Sequence, residues 1–241
     1  MPEPLAQVIT ISILILLYGT VLARLIPKKW HIILNISIAI LAIIMGFSFG
    51  LSLEQMGLSP YSIKDGIIVA IIASVVIVFG TIVIAIIPPF RRFFLGENLA
   101  NANGKLLTFE AAIRIPFSTA LIEEILFSGV LLGLLLTQLP VAQALILSAI
   151  LFGLWHVFPT ITSLEQNDAA AAIVGAKKSR QRAGVIAAII ITSIAGLVFG
   201  WLRVLAGSVL APWLVHWSIN ASGVVGIAVA KKITLNKQKD I

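Results

Sequence analysis

The 241-residue chain combines 59% hydrophobic residues with only 11% charged residues, and it has a mean hydropathy of +1.09 and no cysteine. An average soluble domain carries about 25% charged residues, so too little polar surface remains here to cover a water-soluble globule. This composition excludes a soluble enzyme, a disordered tail and a secreted disulfide scaffold, and it leaves a multi-pass membrane protein. The absence of cysteine also excludes thiol nucleophiles and thiolate zinc sites.

Seven apolar runs are long enough to cross a bilayer, which takes about 20 residues per helix. In chain order they cover roughly residues 5–27, 31–51, 66–88, 115–137, 141–163, 184–205 and 208–230. None of them alternates apolar and polar residues as a membrane β-strand does. The predicted fold class is therefore all-α, a multi-pass bundle of about seven transmembrane helices. The whole chain, residues 1–241, is predicted to form a single integral membrane domain.

The chain has a net charge of +7, and its basic residues are distributed unequally between the two sides of the membrane that the spans define. If the N-terminus is outside and the C-terminus cytoplasmic, all but two of the 17 Lys and Arg residues fall in inner segments, the exceptions being Lys64 and Arg203. This is the positive-inside pattern, so we expect a multi-pass protein of the cell membrane that contacts the lipid bilayer and binds no nucleic acid. The two longer inner segments, 89–114 and 164–183, are predicted to be loops.

Two further patterns concern helix packing and the membrane interface. Three glycine pairs have the four-residue spacing that allows close helix contact, namely Gly46/Gly50, Gly129/Gly133 and Gly196/Gly200. Such contacts could lie within one chain or between two, so they do not indicate an oligomeric state. Three tryptophans near predicted span ends are expected in an aromatic belt, namely Trp30, Trp201 and Trp213.

Four ionisable residues lie deep in the predicted spans: Glu123 and Glu124 in the fourth, His156 in the fifth and His216 in the seventh. A charged side chain at the bilayer centre costs about 2.5–3.5 kcal/mol on insertion scales, so such residues are functional candidates by default. At a rise of about 1.5 Å per residue, these four and Asn220 fall within about two helical turns of each other in height. The sequence therefore predicts one mid-membrane site built from three helices.

This set of residues supports acid–base chemistry on water. A carboxylate in a low-dielectric pocket can act as a general base, and an imidazole beside it can share the proton and orient the water. His216 and Asn220 are four residues apart on one helix face and can present two donors to the oxyanion of a tetrahedral intermediate. A proton-coupled transporter needs the same residue types in its spans, so transport remains open. Retinal-type light sensing is excluded, because the seventh span has no Lys for a Schiff base.

Three short motifs follow each other on the fourth, fifth and seventh spans. They read Glu123-Glu124-Ile125-Leu126-Phe127-Ser128, then Phe152-Gly153-Leu154-Trp155-His156, then His216-Trp217-Ser218-Ile219-Asn220. In this order they resemble the Glu-Glu-x-x-x-Arg, Phe-x-x-x-His and His-x-x-x-Asn motifs of the CAAX protease and bacteriocin-processing (CPBP, or ABI) family of intramembrane glutamic proteases. The resemblance covers about residues 115–225, which would form the catalytic core.

The resemblance implies an intramembrane endopeptidase that cleaves a peptide or membrane-protein substrate. Glu123 would activate the attacking water with help from His156, His216 and Asn220 would form the oxyanion hole, and Glu124 would support the site. No cofactor is expected in this mechanism. Two His and one Glu are also a legitimate catalytic zinc set, so the residues leave a metal-dependent mechanism open, although we favour the metal-free one.

Ser128 departs from the family motif, which has Arg at this position. An Arg one turn from Glu124 could pair with it, and without that partner the carboxylate is costly. Glu124 is then expected to be protonated and hydrogen-bonded, with Ser128 as the candidate partner, or to meet a cation from another helix, with Arg203 as the candidate by depth. The departure also leaves open a catalytically inactive family member that acts as a scaffold or bacteriocin immunity factor.

Overall fold

The computed structural model describes residues 3–91, 94, 104–166 and 178–239, and the regular elements in these ranges are all helical. The long helices are α1 (Glu3–Leu25), α2 (His31–Ser48), α3 (Ile63–Ile86), α4 (Gly104–Leu136), α5 (Val141–Trp155), α6 (Val157–Gln166), α7 (Lys178–Ala206) and α8 (Leu210–Lys239). Within the described ranges, seven stretches are long and apolar enough to cross a membrane, and α5 and α6 together supply the fifth. The predicted all-α multi-pass bundle is confirmed.

The fourth span begins earlier than predicted, at Gly104 rather than near residue 115. The charges in this added segment do not stop the helix, because Glu110 and Arg114 are four residues apart and form an ion pair. The predicted loop 89–114 is helical at its start, in Pro88–Arg91, and again from Gly104, and the predicted loop 164–183 is helical at both ends. The remaining parts of these loops, residues 92–93, 95–103 and 167–177, lie outside the described residues.

Helix α4 occupies the centre of the bundle. In its most apolar 18-residue window 83% of the residues are buried, against 39% or less in each of the other six spans. The outer helices turn much of their apolar surface outward, as expected where lipid covers them. On one side α3 lies along α8 and is joined to it by hydrogen bonds from Ser218 to Ser74 (2.7 Å) and from Thr81 to Ser222 (3.1 Å). Because the other helices surround α4, its polar groups are removed from the lipid.

The pair Gly196/Gly200 makes the close helix contact that its spacing predicts. An added Cβ would lie 2.9 Å from Phe152 at Gly196 and 2.9 Å from Leu145 at Gly200. A larger residue at either position would push α7 away from α5. This contact matters for the site, because α5 ends next to His156.

At the other two glycine pairs the nearest neighbour is a loop, although Gly46 also lies near Val130 of α4, 3.6 Å from an added Cβ. An added Cβ at Gly133 would lie 2.6 Å from the carbonyl oxygen of Gln55, so the face of Gly129 and Gly133 receives the loop between α2 and α3. Gly46 packs against the same loop, and Gly50 follows the end of α2 with φ of +84°. Residues with a Cβ atom rarely adopt a positive φ, so Gly50 allows the chain to turn at this position.

The fifth span is broken at His156, where a continuous helix was predicted. Helix α5 ends at Trp155 and α6 begins at Val157. Pro159 has no N–H to donate to the carbonyl of Trp155, so the helical ladder is interrupted four residues before the proline. His156 itself bonds back to Gly153 through its N–H (3.1 Å). The break lies at the depth of the predicted site.

Candidate active site

Glu123 and Glu124 lie on α4 next to two π-helical stretches, Glu110–Ala120 and Glu124–Leu131, which are bridged by Leu121–Glu123. Neighbouring side chains of an α-helix point about 100° apart, and the wider turn of a π-helix reduces that angle. Both carboxyl groups can therefore point into the bundle. Glu123 is 5% exposed and Glu124 is completely buried.

His156 reaches the site from the break between α5 and α6. Its Nδ1 lies 2.8 Å from the carbonyl oxygen of Phe152, and its Nε2 lies 3.6 Å from Oε2 of Glu123. A carbonyl oxygen only accepts hydrogen bonds, so Nδ1 carries the proton. In the neutral ring, Nε2 is then the basic nitrogen, and it faces Glu123.

His216 reaches the site from α8 and lies between the two carboxyl groups. Its Nδ1 is 2.8 Å from Oε1 of Glu124, and its Nε2 is 3.8 Å from Oε2 of Glu123. The ring stacks on Phe199, with 4.7 Å between centroids and 17° between planes. The stacking and the short bond to Glu124 hold the imidazole in one orientation.

Glu124 finds its partners inside the site, and one of them is Ser128. The Ser128 hydroxyl donates to Oε2 of Glu124 (2.5 Å), while Oε1 pairs with Nδ1 of His216. Both oxygens of this buried carboxyl are therefore engaged, as a buried polar group requires. The expectation that Ser128 serves as the partner in place of the family Arg agrees with this geometry.

Arg203 is not the cation that serves Glu124. Its guanidinium donates to the carbonyl oxygens of Gln55 and Glu54 in the loop between α2 and α3. The side chain is buried, and its Nε has no hydrogen-bond partner among the described residues. Arg203 therefore connects that loop to α7. The prediction that Arg203 pairs with Glu124 relied on depth alone, which does not determine where the side chain points.

Oε2 of Glu123 differs from the oxygens of Glu124, because it accepts no hydrogen bond from any described residue although it is buried. The two imidazole Nε2 atoms flank it at 3.6 Å and 3.8 Å, beyond direct hydrogen-bond distance. One carboxylate oxygen and two ring nitrogens thus face a common point. A water molecule there would have the two to four polar partners that a buried water needs.

Asn220 is the one predicted site residue that does not join this cluster. It lies one turn after His216 on α8 with its side chain exposed, and it makes no hydrogen bond within the described part of the chain. Its spacing from His216 places both on one face of α8, about 6 Å apart along the axis. The structure therefore brings Glu123, Glu124, His156 and His216 together and leaves Asn220 beside them.

A cavity of about 450 Å³ reaches Glu123 from the end of the bundle where α1 ends and α2 and α4 begin. Its walls include Asn35 and Ser118 near Glu123, and Lys28, His31 and Arg114 toward that end. Reasoning from ionisable residues at mid-membrane depth missed these positions. Asn35 could have been identified from the sequence, because an amide in an otherwise apolar span needs a hydrogen-bond partner inside the bundle. It donates to the carbonyl oxygen (2.9 Å) and the hydroxyl (3.0 Å) of Ser118.

The side chains of the site include donor types that bind metal ions. Imidazole Nε2 and carboxylate oxygens are donors that zinc accepts. No group of three or more His, Cys, Asp and Glu side chains within the described residues has a spacing that would hold a metal.

Fold and site together define an integral membrane protein with a buried Glu–His centre at mid-depth of its helical bundle. Residues 105–222, just under half of the chain, match the family model described as type II CAAX prenyl endopeptidase Rce1-like. This match confirms the predicted resemblance to the CPBP family over that segment, which contains all five predicted site residues. No curated protein and no solved structure gives a significant match to the chain. The family and the membrane fold together support a CAAX-protease-like function in a membrane.

Proposed function

We propose that this protein is an intramembrane endopeptidase in which Glu123 activates water to cleave a peptide bond in or near the bilayer. The observation that carries the proposal is the buried Oε2 of Glu123, which accepts no hydrogen bond from the described residues and lies between two imidazole nitrogens at 3.6 Å and 3.8 Å. A purely structural carboxylate in this position would be expected to pair as Glu124 does. The cavity reaches Glu123 and gives a substrate a route toward the site.

The reaction follows from the facing groups. Glu123 takes a proton from the water as the oxygen attacks the carbonyl carbon of the scissile bond, and Nε2 of His156 accepts the second water hydrogen bond and orients the attack. The protonated Glu123 then gives its proton to the leaving amine. The products are one new carboxyl end and one new amino end, with no cofactor consumed.

The oxyanion of the tetrahedral intermediate needs donors, and His216 is the proposed first one. If the Glu124–His216 pair holds two protons, Nδ1 is shared with Oε1 and Nε2 carries N–H. The pair is then neutral overall, which a low-dielectric interior favours over a second negative charge beside Glu123. Asn220 is the proposed second donor, since its amide is exposed and free to turn toward a bound substrate.

The substrate is proposed to be a peptide or a membrane protein that enters through the end of the cavity lined by Lys28, His31 and Arg114. With the N-terminus outside and the C-terminus cytoplasmic, this end faces the cytoplasm. We place the protein in the cell membrane, with the lipid bilayer as its surroundings.

The test is a comparison of protein termini in membranes of cells that express wild type, Glu123→Gln or Glu54→Gln. Glu54 is an exposed loop residue and serves as the matched control. New termini in wild type and Glu54→Gln but not in Glu123→Gln would support proteolysis and name the substrates. Identical termini in all three, with equal insertion, would contradict it and favour a scaffold or a transporter. Loss of the new termini on treatment with a strong chelator would overturn the metal-free mechanism.

A further inference from the structure

The π-helical stretch Glu110–Ala120 leads directly to Glu123 and is unusually long. Most π-helices are single turns inserted in an α-helix, often at functional sites, because their backbone geometry is less favourable. Eleven residues in this form need support from outside the helix.

That support comes from side chains of two other helices, which donate to main-chain carbonyls of the stretch. The indole Nε1 of Trp217 lies 2.6 Å from the carbonyl oxygen of Ala111, and that of Trp213 lies 2.8 Å from the carbonyl oxygen of Pro116. Asn35 on α2 donates to the carbonyl oxygen of Ser118 (2.9 Å). These partners satisfy carbonyls that are removed from water.

The spacing of the two indoles matches a π turn and not an α turn. Ala111 and Pro116 are five residues apart, which is the i to i+5 interval of a π-helix, so their carbonyls lie on the same side. In an α-helix, a residue five positions further on is rotated by about 140°. Trp213 and Trp217, one α turn apart on α8, could then not reach both carbonyls. The two bonds exist together only while α4 keeps its π form.

The geometry points to Trp213 and Trp217 as positioning residues, which hold α4 in the π form and thereby set Glu123 opposite His156 and His216. His216 lies between the two tryptophans on α8, so one helical turn fixes both the imidazole and the register of the carboxylate. The indole of Trp213, which the sequence places near a span end, thus donates to protein backbone. The catalytic meaning of this inference rests on the proposed function.

The first test replaces Trp213 or Trp217 singly by benzothienylalanine, which keeps the bicyclic shape and lacks the N–H. Each replacement is expected to lower kcat about tenfold and to change KM less than about twofold, because the loss of one buried hydrogen bond misplaces Glu123 without altering the cavity. The same replacement at Trp201, which is exposed on α7, is the matched control and should leave both constants unchanged. Unchanged kcat at both 213 and 217 would overturn the inference.

The second test does not depend on proteolysis. The chain has no cysteine, so Thr119→Cys gives a single thiol on the wall of the cavity, within the π stretch. The labelling rate of this thiol by a small reagent is expected to change at least about threefold on Trp213→Phe or Trp217→Phe and not on Trp201→Phe, because α4 rotates when it leaves the π form.

The two tests separate this inference from the proposed function. A changed labelling rate in a protein without any proteolysis would retain the positioning role and contradict the endopeptidase. Cleavage by wild type, with unchanged labelling and unchanged kcat in the variants, would support the endopeptidase and contradict the positioning role. If a Phe variant fails to insert, the benzothienylalanine protein, which keeps the packing, is labelled in its place and decides the outcome.

Discussion

The two adjacent glutamates differ in one respect that predicts different mutational effects. Within the described part of the chain, Oε2 of Glu123 accepts no hydrogen bond and faces the two imidazoles, whereas both oxygens of Glu124 are engaged by Ser128 and His216. Glu123→Gln should lower kcat by about 10² to 10⁴, the range expected for a lost general base. Glu124→Gln keeps the shape and one bond to His216 and should lower kcat about tenfold. Steady-state kinetics on both variants checks this, and equal losses would contradict the division of roles.

Ser128 is buried, with 3% exposure, and its single hydroxyl takes the place of the family Arg beside Glu124. Ser128→Ala leaves Oε2 of Glu124 without a donor and should destabilise the fold by about 1–3 kcal/mol. Ser148→Ala is the matched control, because Ser148 is also buried but makes only a 3.3 Å bond to the carbonyl of Phe127. Thermal unfolding in detergent measures the difference. Equal stability losses in the two variants would contradict a larger stabilising contribution from the Ser128–Glu124 hydrogen bond.

At the scale of elements, the break in the fifth span sets the position of His156. Pro159 lies in the first turn of α6, whereas in one continuous helix through residue 156 it would be interior and would cost about 3 kcal/mol relative to alanine. Pro159→Ala is therefore expected to raise the unfolding midpoint and, by letting α5 continue through residue 156, to lower kcat about tenfold. Pro140→Ala at the start of α5 should change kcat little. A stabilised variant with full activity would show that the break is not needed for the reaction.

The widened form of α4 is the second feature at this scale, and no pattern in the sequence predicted it. Its amino-acid content reads as an ordinary apolar span, and Pro116 indicates a disturbance but not its kind. The π form depends on donors from α2 and α8, which are far away in the chain. Such long-range contacts cannot be inferred from local propensity.

For the whole molecule, the clamp formed by Arg203 joins the loop between α2 and α3 to α7. Its guanidinium donates to the carbonyls of Gln55 and Glu54, and a Lys has only a compact ammonium in place of this planar fork. Arg203→Lys should therefore destabilise the protein by about 0.5–1.5 kcal/mol, because one of the two hydrogen bonds to the loop carbonyls is lost. Limited proteolysis and thermal unfolding measure this. Unchanged stability and an uncut loop would contradict the clamp, and Arg24→Lys is the exposed control.

Orientation in the membrane is also a property of the whole molecule and stays a prediction from charge. The positive-inside pattern predicts that Glu54 faces the outside and Lys232 the cytoplasm. Because the chain has no cysteine, Glu54→Cys and Lys232→Cys each carry a single thiol. In intact cells an impermeant maleimide should label the first and reach the second only after permeabilisation. The opposite pattern would invert the proposed side of substrate entry.

The sequence by itself determined the membrane class, the seven spans and the depth of the site. Each depends on properties that act locally, namely apolar length and the cost of an ionised group in a bilayer. The prediction of Glu123, Glu124, His156 and His216 as one cluster followed from that depth, and the structure brings the four together.

Only the tertiary structure decided which atoms face each other. Nδ1 of His216 meets Glu124, while the Nε2 atoms of His156 and His216 flank Glu123. These contacts depend on the break at His156 and on the π form of α4. Asn220 shows that spacing along a helix is not sufficient to predict a contact, because its amide lies outside the cluster although it is four residues from His216 on α8. Helical periodicity gives height and face, whereas the direction of a side chain depends on packing and hydrogen bonds between distant segments.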